Sequence, residues 1–160
     1  PLMAKTALVT GASQGIGKAT VIELAKHGYD IILVAREPDR LEAAANEVRG
    51  LGRQAYAIST DVRDSVQVEQ MIQHAIAQVG NIDVLVNNAA VYYMGPVEEA
   101  SLSDWHTILD TNLWGYIYTI RALLPHFLSR GNGTMLCRSV DSIRFHIKFL
   151  ILLANTRLQV

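Results

Sequence analysis

The sequence predicts an α/β fold, in which helices cover both faces of a doubly wound parallel β-sheet. Five short apolar runs alternate along the chain with segments of helical period. The runs are almost continuously apolar, which is typical of strands buried on both faces. The first run leads directly into a glycine-rich turn that opens a helix. Together these observations predict the strand order 3-2-1-4-5, with the turn where that order reverses.

Each predicted element rests on its own local pattern. The predicted strands are residues 7–10, 31–35, 55–60, 84–87 and 134–137. The predicted helices are residues 16–27, 39–51, 65–79 and a long one over about 103–129. Ser101 and Asp104 have the spacing of a capping box, and Gly28 and Gly80 follow apolar-periodic segments. These signals support the assigned helix ends.

Composition narrows the function classes. The chain has 160 residues, half of them hydrophobic, which suffices for one domain. Its net charge of −1 argues against nucleic acid and an anionic membrane as partners. A lone cysteine, Cys137, fits a reducing cytoplasm, and the longest apolar run, 149–154, is too short to cross a bilayer. The five histidines show no metal-ligand spacing, so we expect no metal site.

The strongest functional signal is the segment 10–17, Thr-Gly-Ala-Ser-Gln-Gly-Ile-Gly. Such a turn presents unpaired N–H groups at a helix N-terminus, which favours an anion. Gly11 permits the tight turn, Gly15 lets backbone approach a pyrophosphate, and Gly17 lets the helix lie close to the strand. The alternative is a plain strand-to-helix loop. We favour a dinucleotide site, with candidate contacts from Thr10, Gly11, Ser13, Gln14, Gly15, Ile16 and Gly17.

The end of the second strand indicates which dinucleotide binds. An acidic residue there would bond the ribose 2′-hydroxyl of NAD, but Ala35 occupies that position. Arg36 offers a cationic fork suited to the 2′-phosphate of NADP, and Arg40 could add charge. Glu37 complicates this assignment, although the following proline and turn could direct its side chain outward. We predict NADP(H) over NAD(H).

Four motifs together resemble the short-chain dehydrogenase/reductase family over about the first 136 residues. The first is the glycine spacing of the turn, with Thr10 in front. The others are Asp61-Val62 after the third strand, Asn87-Asn-Ala-Ala90 after the fourth, and Asn112 within Asp110-Thr-Asn-Leu113. The family's second motif ends in glycine, where this chain has alanine.

The resemblance implies a Rossmann-like fold and hydride transfer between a nicotinamide dinucleotide and a small carbonyl or alcohol substrate. It implies adenine contacts for Asp61 and Val62, a cofactor contact for Asn88 and a catalytic role for Asn112. Structural alternatives stay open: Asp61 could be a solvated turn carboxylate, and Asn87 and Asn88 could satisfy backbone groups. Asn112 is a poor helix former inside a predicted helix, which favours a functional reason for its presence.

The C-terminal segment departs from the family pattern. The family's catalytic serine, tyrosine and lysine positions fall on Val140, Leu153 and Arg157. Ser139 lies one residue from the serine position, and such a slip turns a strand side chain to the opposite face. Ser139 is nevertheless the second catalytic candidate, beside Asn112. The 160 residues contain no Tyr-x-x-x-Lys.

Residues 137–160 form an atypical tail behind the predicted dinucleotide-binding domain, residues 1–136. The tail has four basic residues against one acidic residue, and neither glycine nor proline. It could be an edge strand or terminal helix that docks on the core. Alternatively, it did not arise with the domain, for instance through a shifted reading frame. We favour the second interpretation and expect a C-terminally incomplete family fold.

The function predicted on this basis is an NAD(P)-dependent oxidoreductase by descent that is inactive as this chain. One alternative is a non-catalytic NADP(H)-binding or interaction module, and another is one half of a two-chain oxidoreductase. The family resemblance implies a homo-oligomer. That assembly is doubtful for this chain. In the family, the helix that carries the catalytic tyrosine and lysine pairs with the helix around Asn112 across a dimer interface, and the tail does not match that helix. The substrate is beyond prediction.

Overall fold

A computed structural model describes residues 4–138 and confirms the predicted architecture. The strands are β1 (Thr6–Thr10), β2 (Asp30–Ala35), β3 (Ala55–Ser59), β4 (Val84–Asn87) and β5 (Thr134–Cys137). The helices are α1 (Gly15–Lys26), α2 (Pro38–Gly50), α3 (Ser65–Val79), α4 (Leu102–Leu109) and α5 (Gly115–Arg130). A 3₁₀ turn covers Val97–Glu99, and a π turn, Asp110–Trp114, joins α4 to α5.

The five strands form one parallel sheet in the predicted order β3-β2-β1-β4-β5. β1 lies at the centre, where Leu8 aligns with Ile32 of β2 on one side and with Leu85 of β4 on the other. Because all strands run in one direction, their carboxyl ends meet at one edge of the sheet. The order reverses at β1, so a crevice opens beyond its carboxyl end.

The core divides into two layers, one on each face of the sheet. Side chains that alternate along a strand point to opposite faces. Val9 and Leu33 therefore pack with the residues of α1 and α2, whereas Leu8 and Ile32 pack with those of α3 and α5. Every residue of β1 is buried. Burial on both faces explains why the sequence shows a continuous apolar run there.

Helix ends follow the predicted signals. The Ser101 hydroxyl accepts from the Asp104 N–H at 3.1 Å, and the Asp104 carboxylate accepts from the Ser101 N–H at 2.8 Å. This reciprocal pair is the predicted capping box of α4. Gly80, with φ of 75°, ends α3, and Gly28, with φ of 88°, follows α1. Both angles lie in the region that favours glycine.

The predicted long helix over 103–129 is divided in the structure. The backbone stays right-handed at both boundaries of the π turn Asp110–Trp114, so α4 continues into α5 through one widened turn. The Asn112 amide makes two hydrogen bonds to the backbone of Val91. These bonds join residues 21 positions apart, so a local hydrophobic pattern does not reveal them. No helix within residues 4–138 is long and apolar enough to span a bilayer.

Candidate functional site

A cleft opens at the carboxyl edge of the sheet, where the strand order reverses. Ten of the predicted cofactor-binding residues line it: Gly11, Ser13, Gln14, Gly15, Ile16, Gly17, Arg36, Asp61, Val62 and Asn88. They come from the turns that follow β1, β2, β3 and β4. The fold thus brings together residues that lie up to 77 positions apart in the sequence.

The glycine turn shapes the centre of the cleft. Gly11 has φ of 66°, and a Cβ built on Gly17 would lie 2.0 Å from the Gly11 carbonyl oxygen. Only glycine permits this approach of α1 to the turn. A Cβ on Gly15, by contrast, would meet no atom within 4 Å. Gln14 occupies the N-cap of α1 without a side-chain capping bond, and its Oε1 instead accepts from Arg40 at 3.0 Å.

Thr10 lies beneath the cleft and does not line it. Its hydroxyl oxygen accepts from the backbone N–H groups of Asn88 at 3.0 Å and Ala89 at 3.1 Å. The Asn88 Nδ2 donates back to the carbonyl oxygens of Thr10 at 3.1 Å and Gly11 at 3.3 Å. These bonds tie the ends of β1 and β4 together. Thr10 therefore supports the glycine turn from below, and Asn88 does so from the cleft wall.

The end of β2 presents Arg36 to the cleft. Its guanidinium makes no hydrogen bond or ion pair within residues 4–138, while its carbonyl oxygen accepts from the Ser59 hydroxyl at 2.9 Å. The Glu37 carboxylate lies 3.3 Å from Arg40 Nε. That ion pair offsets the acidic charge that complicates the sequence-based assignment. Among the described residues at the end of β2, Arg36 is thus the one unpaired cation.

Asp61 enters the cleft from the end of β3 as an ion pair. The Arg63 guanidinium donates to it from Nε at 3.0 Å and from Nη2 at 2.6 Å. Hydrogen bonding to Arg63 lowers the pKa of Asp61, so the carboxylate is ionised near neutral pH. Val62 is buried against α5, where a Cβ on Gly115 would lie 2.9 Å from Val62 Cγ2. This close packing fixes the β3 end of the cleft.

Asn112 stands behind the cleft wall. Its Oδ1 accepts from the Val91 N–H at 2.8 Å, and its Nδ2 donates to the Val91 carbonyl oxygen at 2.9 Å. Its neighbour Thr111, which is 7% exposed, lines the cleft. In this arrangement Asn112 holds the loop after β4. The catalytic role that the family resemblance implies for Asn112 stays a prediction, and Ser139 lies outside the described residues.

Arg138 and Tyr92 are cleft residues that sequence reasoning missed. Arg138 donates from Nη1 to Asn88 Oδ1 and from Nη2 to the Tyr92 hydroxyl, both at 3.2 Å. The buried Tyr116 hydroxyl donates to the Arg138 carbonyl oxygen at 3.3 Å, and burial raises the pKa of Tyr116. The available signal was the position of Arg138 just after β5, whose carboxyl end meets the same sheet edge.

Residues 4–138 contain no cluster of three His, Cys, Asp or Glu side chains that could hold a metal.

Comparisons with known proteins agree with this geometry. The chain is 35% identical over 135 residues to 3-oxoacyl-(acyl-carrier-protein) reductase FabG of Staphylococcus epidermidis, covering 84% of this chain and 55% of the relative. It is 38% identical over 127 residues to the NADP-dependent 3-hydroxy acid dehydrogenase YdfG of Shigella flexneri, covering 79% of this chain and 50% of the relative. The chain therefore spans about half the length of these curated relatives.

A solved structure is similar over the same region. The alcohol dehydrogenase from the archaeon Thermococcus sibiricus, complexed with 5-hydroxy-NADP, superimposes with a TM-score of 0.78 at 36% identity. The match covers 82% of this chain and 56% of that one. The sequence model of the short chain dehydrogenase family matches residues 5–142. With the strand order, the glycine turn and the cleft at the reversal point, this match establishes that the chain belongs to the short chain dehydrogenase family.

Proposed function

We propose that the cleft binds NADP(H), as the cofactor site of an oxidoreductase that interconverts a small carbonyl compound and an alcohol. The observation that carries this proposal is the uncapped N-terminus of α1, which opens into the cleft beside the unpaired Arg36. A helix N-terminus attracts a pyrophosphate, and a guanidinium recognises a terminal phosphate. NADP(H) carries both groups.

The shape of the turn fits a pyrophosphate. Gly15 has φ of 55°, and the space beside its Cα is open. A side chain there would fill the position from which backbone N–H groups reach a phosphate. Gly17 holds α1 against the turn, so the helix N-terminus lies at the floor of the cleft. The residues that would hold the pyrophosphate are thus present and correctly shaped.

The β2 end supports NADP(H) over NAD(H). Ala35 leaves no carboxylate where one would accept from a ribose 2′-hydroxyl. Glu37 is engaged by Arg40, while Arg36 remains available for a 2′-phosphate. Two similar proteins, an NADP-dependent dehydrogenase and an alcohol dehydrogenase complexed with 5-hydroxy-NADP, are consistent with this choice.

The 160 residues by themselves are proposed to bind cofactor without turnover. When bound, the nicotinamide supplies or accepts the hydride. The reaction also needs a proton donor, and the sequence contains no Tyr-x-x-x-Lys pair that could provide one. Asn112 positions the loop after β4, and the residues of the glycine turn bind the cofactor. None of these residues is an acid that gives up a proton at neutral pH. Substrate reduction therefore requires groups beyond these residues.

A second candidate function is a cofactor-binding module that assembles with another polypeptide. It is favoured by an apolar α4 face, which we define as Leu102, Trp105, Leu109, Leu113 and Trp114; all five are at least 36% exposed. Such a face is a common partner surface. A soluble monomer that binds NADPH would support an independent module. Activity that appears only with a second chain carrying Tyr-x-x-x-Lys would support the two-chain form.

Titration of the full chain with NADPH and with NADH tests the main proposal. We expect tighter binding of NADPH, and an Arg36→Ala variant should weaken NADPH binding roughly tenfold while leaving NADH unchanged, because a charge-assisted bond is lost. Arg121→Ala is the matched control, since Arg121 is exposed on α5 and does not line the cleft. Equal affinities for the two dinucleotides, or an unaltered NADPH affinity in Arg36→Ala, would contradict the proposal.

A further inference from the structure

Three arginines line the cleft, and Arg40 is paired with Glu37. Within residues 4–138, Arg138 is thus a second cleft arginine without an ion-pair partner, at the opposite end from Arg36. In the sheet order, Arg36 follows β2 on one side of β1, whereas Arg138 follows β5 on the other side. Its guanidinium reaches back to Asn88, which follows β4, the strand next to β1. The N-terminus of α1 therefore lies between the two arginines.

Provided that the proposed function is correct, this placement assigns one half of NADP(H) to each end of the cleft. If Arg36 takes the 2′-phosphate, the adenosine half of NADP(H) lies on the β2 side and the pyrophosphate lies at α1. The nicotinamide half then lies on the β4 side. Among the residues that line that side, Asn88, Tyr92 and Arg138 carry the polar side chains that bond one another, beside Ala89, Ala90, Val91 and Thr111.

The charge of Arg138 is not neutralised within the described residues. The carboxylates that line the cleft are Glu37 and Asp61, and each is paired with another arginine. Asn88 and Tyr92, the two side-chain partners of Arg138, are neutral hydrogen-bond acceptors at this contact. These two bonds hold the guanidinium in one place. A fixed, half-buried charge acts on a neighbouring charged group more strongly than a mobile, fully hydrated one.

We propose that Arg138 makes the cleft selective for the reduced cofactor. The oxidised nicotinamide ring is a cation, and the reduced ring is neutral. A guanidinium at the nicotinamide end therefore repels NADP+ and has no such effect on NADPH. The two dinucleotides share their 2′-phosphate and pyrophosphate, so every other contact of the cleft contributes about equally to both. The selectivity for the reduced cofactor is therefore measured as the Kd of NADP+ divided by the Kd of NADPH.

The test is calorimetric titration of the full chain and its variants with NADP+ and with NADPH. Arg138→Gln should lower the Kd ratio, NADP+ over NADPH, roughly three- to tenfold, because the unit charge is removed and polarity is kept. Arg138→Lys should retain the ratio of the unmodified chain, since it keeps the charge. Arg36→Ala should weaken both ligands and leave the ratio unaltered.

The outcomes separate this inference from the proposed function. If the unmodified chain binds neither dinucleotide, both fail. If both bind but the ratio is the same in Arg138→Gln as in the unmodified chain, the role of Arg138 alone is overturned. Measuring the same Kd ratio of the unmodified chain at several salt concentrations tests the inference without a variant, so the result does not depend on whether a variant folds. The ratio should fall as salt screens the charge, and a constant ratio would contradict the inference.

Discussion

The carboxyl ends of β1 and β4 meet in the same cleft but are shaped by different kinds of contact. After β1, the turn depends on the glycines themselves, through the positive φ of Gly11 and Gly15 and the missing side chain of Gly17. At the end of β4, the chain is held by side chains from elsewhere: Thr10 and Asn112 bond its backbone, and Thr119 bonds the Asn87 side chain.

The difference lies in sequence separation. Gly11 and Gly17 contact each other within one turn, so their spacing is visible in the sequence. Asn88 is tied to Thr10 and to Arg138 across 78 and 50 positions. The backbone shape of the β1 turn thus depends mainly on local glycines, with one added bond from Asn88, whereas the end of β4 depends mainly on distant side chains.

The largest expected effect comes from Gly17→Ala at the β1 end. The new Cβ would lie 2.0 Å from the Gly11 carbonyl oxygen, which is backbone and cannot move aside without deforming the turn. We expect a loss of roughly 3 kcal/mol in the free energy of unfolding. Urea denaturation measures this loss.

Gly50→Ala is the control for that prediction. Gly50 ends α2, and a Cβ there would meet nothing within 4 Å. We expect a change of at most about 1 kcal/mol, in the stabilising direction, because alanine is the better helix former. A small, equal effect of both substitutions would show that the turn does not depend on the absence of a side chain at Gly17.

A smaller loss is expected from Thr119→Val, which breaks a contact at the β4 end. The Thr119 hydroxyl lies 2.7 Å from Asn87 Oδ1, and neither residue is exposed. Valine has nearly the same shape but leaves the buried amide oxygen without this partner. The free energy of unfolding should fall by about 1–3 kcal/mol.

Thr20→Val is the matched control, because within residues 4–138 the Thr20 hydroxyl bonds only the Ile16 carbonyl oxygen of its own helix, and Thr20 is half-buried. Its effect should stay below about 0.5 kcal/mol. If Thr119→Val were as mild as Thr20→Val, the distant side chain would not be what holds the end of β4.

The smallest expected effect is a pH dependence at the opposite end of β4. The Ile82 N–H donates to His126 Nε2 at 3.1 Å, which requires an unprotonated nitrogen. Burial, with a further contribution from Arg130, lowers the pKa of His126 below its usual 6.5. The unfolded chain then binds the proton first. Stability is therefore full above about pH 6.5 and declines as pH falls from there to the folded-state pKa.

Urea midpoints over a pH series measure this decline. His126→Gln should reduce it, because glutamine offers a non-titrating acceptor. His74→Gln, at an exposed position on α3, is the control and should leave the pH dependence unaltered. An identical pH profile in the unmodified chain and His126→Gln would exclude His126 as its source.

Much of the fold and of the cleft could be predicted from local patterns. Period and punctuation located the strands, and parallel strands with one reversal point bring the turn residues together. The suggested outward direction of Glu37 does not hold, because Glu37 lines the cleft, where its carboxylate is paired with Arg40. Thr10 illustrates the limit, because the sequence predicts a cofactor contact, which stays a prediction, and does not reveal its buried bonds to the end of β4. Arg138 was missed although its position after β5 places it at the same sheet edge, because its bond to Asn88 is visible only in the folded chain.

The sequence by itself determined the α/β class and the glycine turn, because both depend on residue types at short, regular spacing. The strand order and the family followed from the order of whole elements and of four motifs along the chain. Tertiary structure alone decided the π turn at Asn112, the buried position of Thr10 and the arrival of Arg138 in the cleft. At each of these places, the structure shows hydrogen bonds between residues that are far apart in the chain. Their partners are chosen by the packing of strands and helices, which no local pattern records.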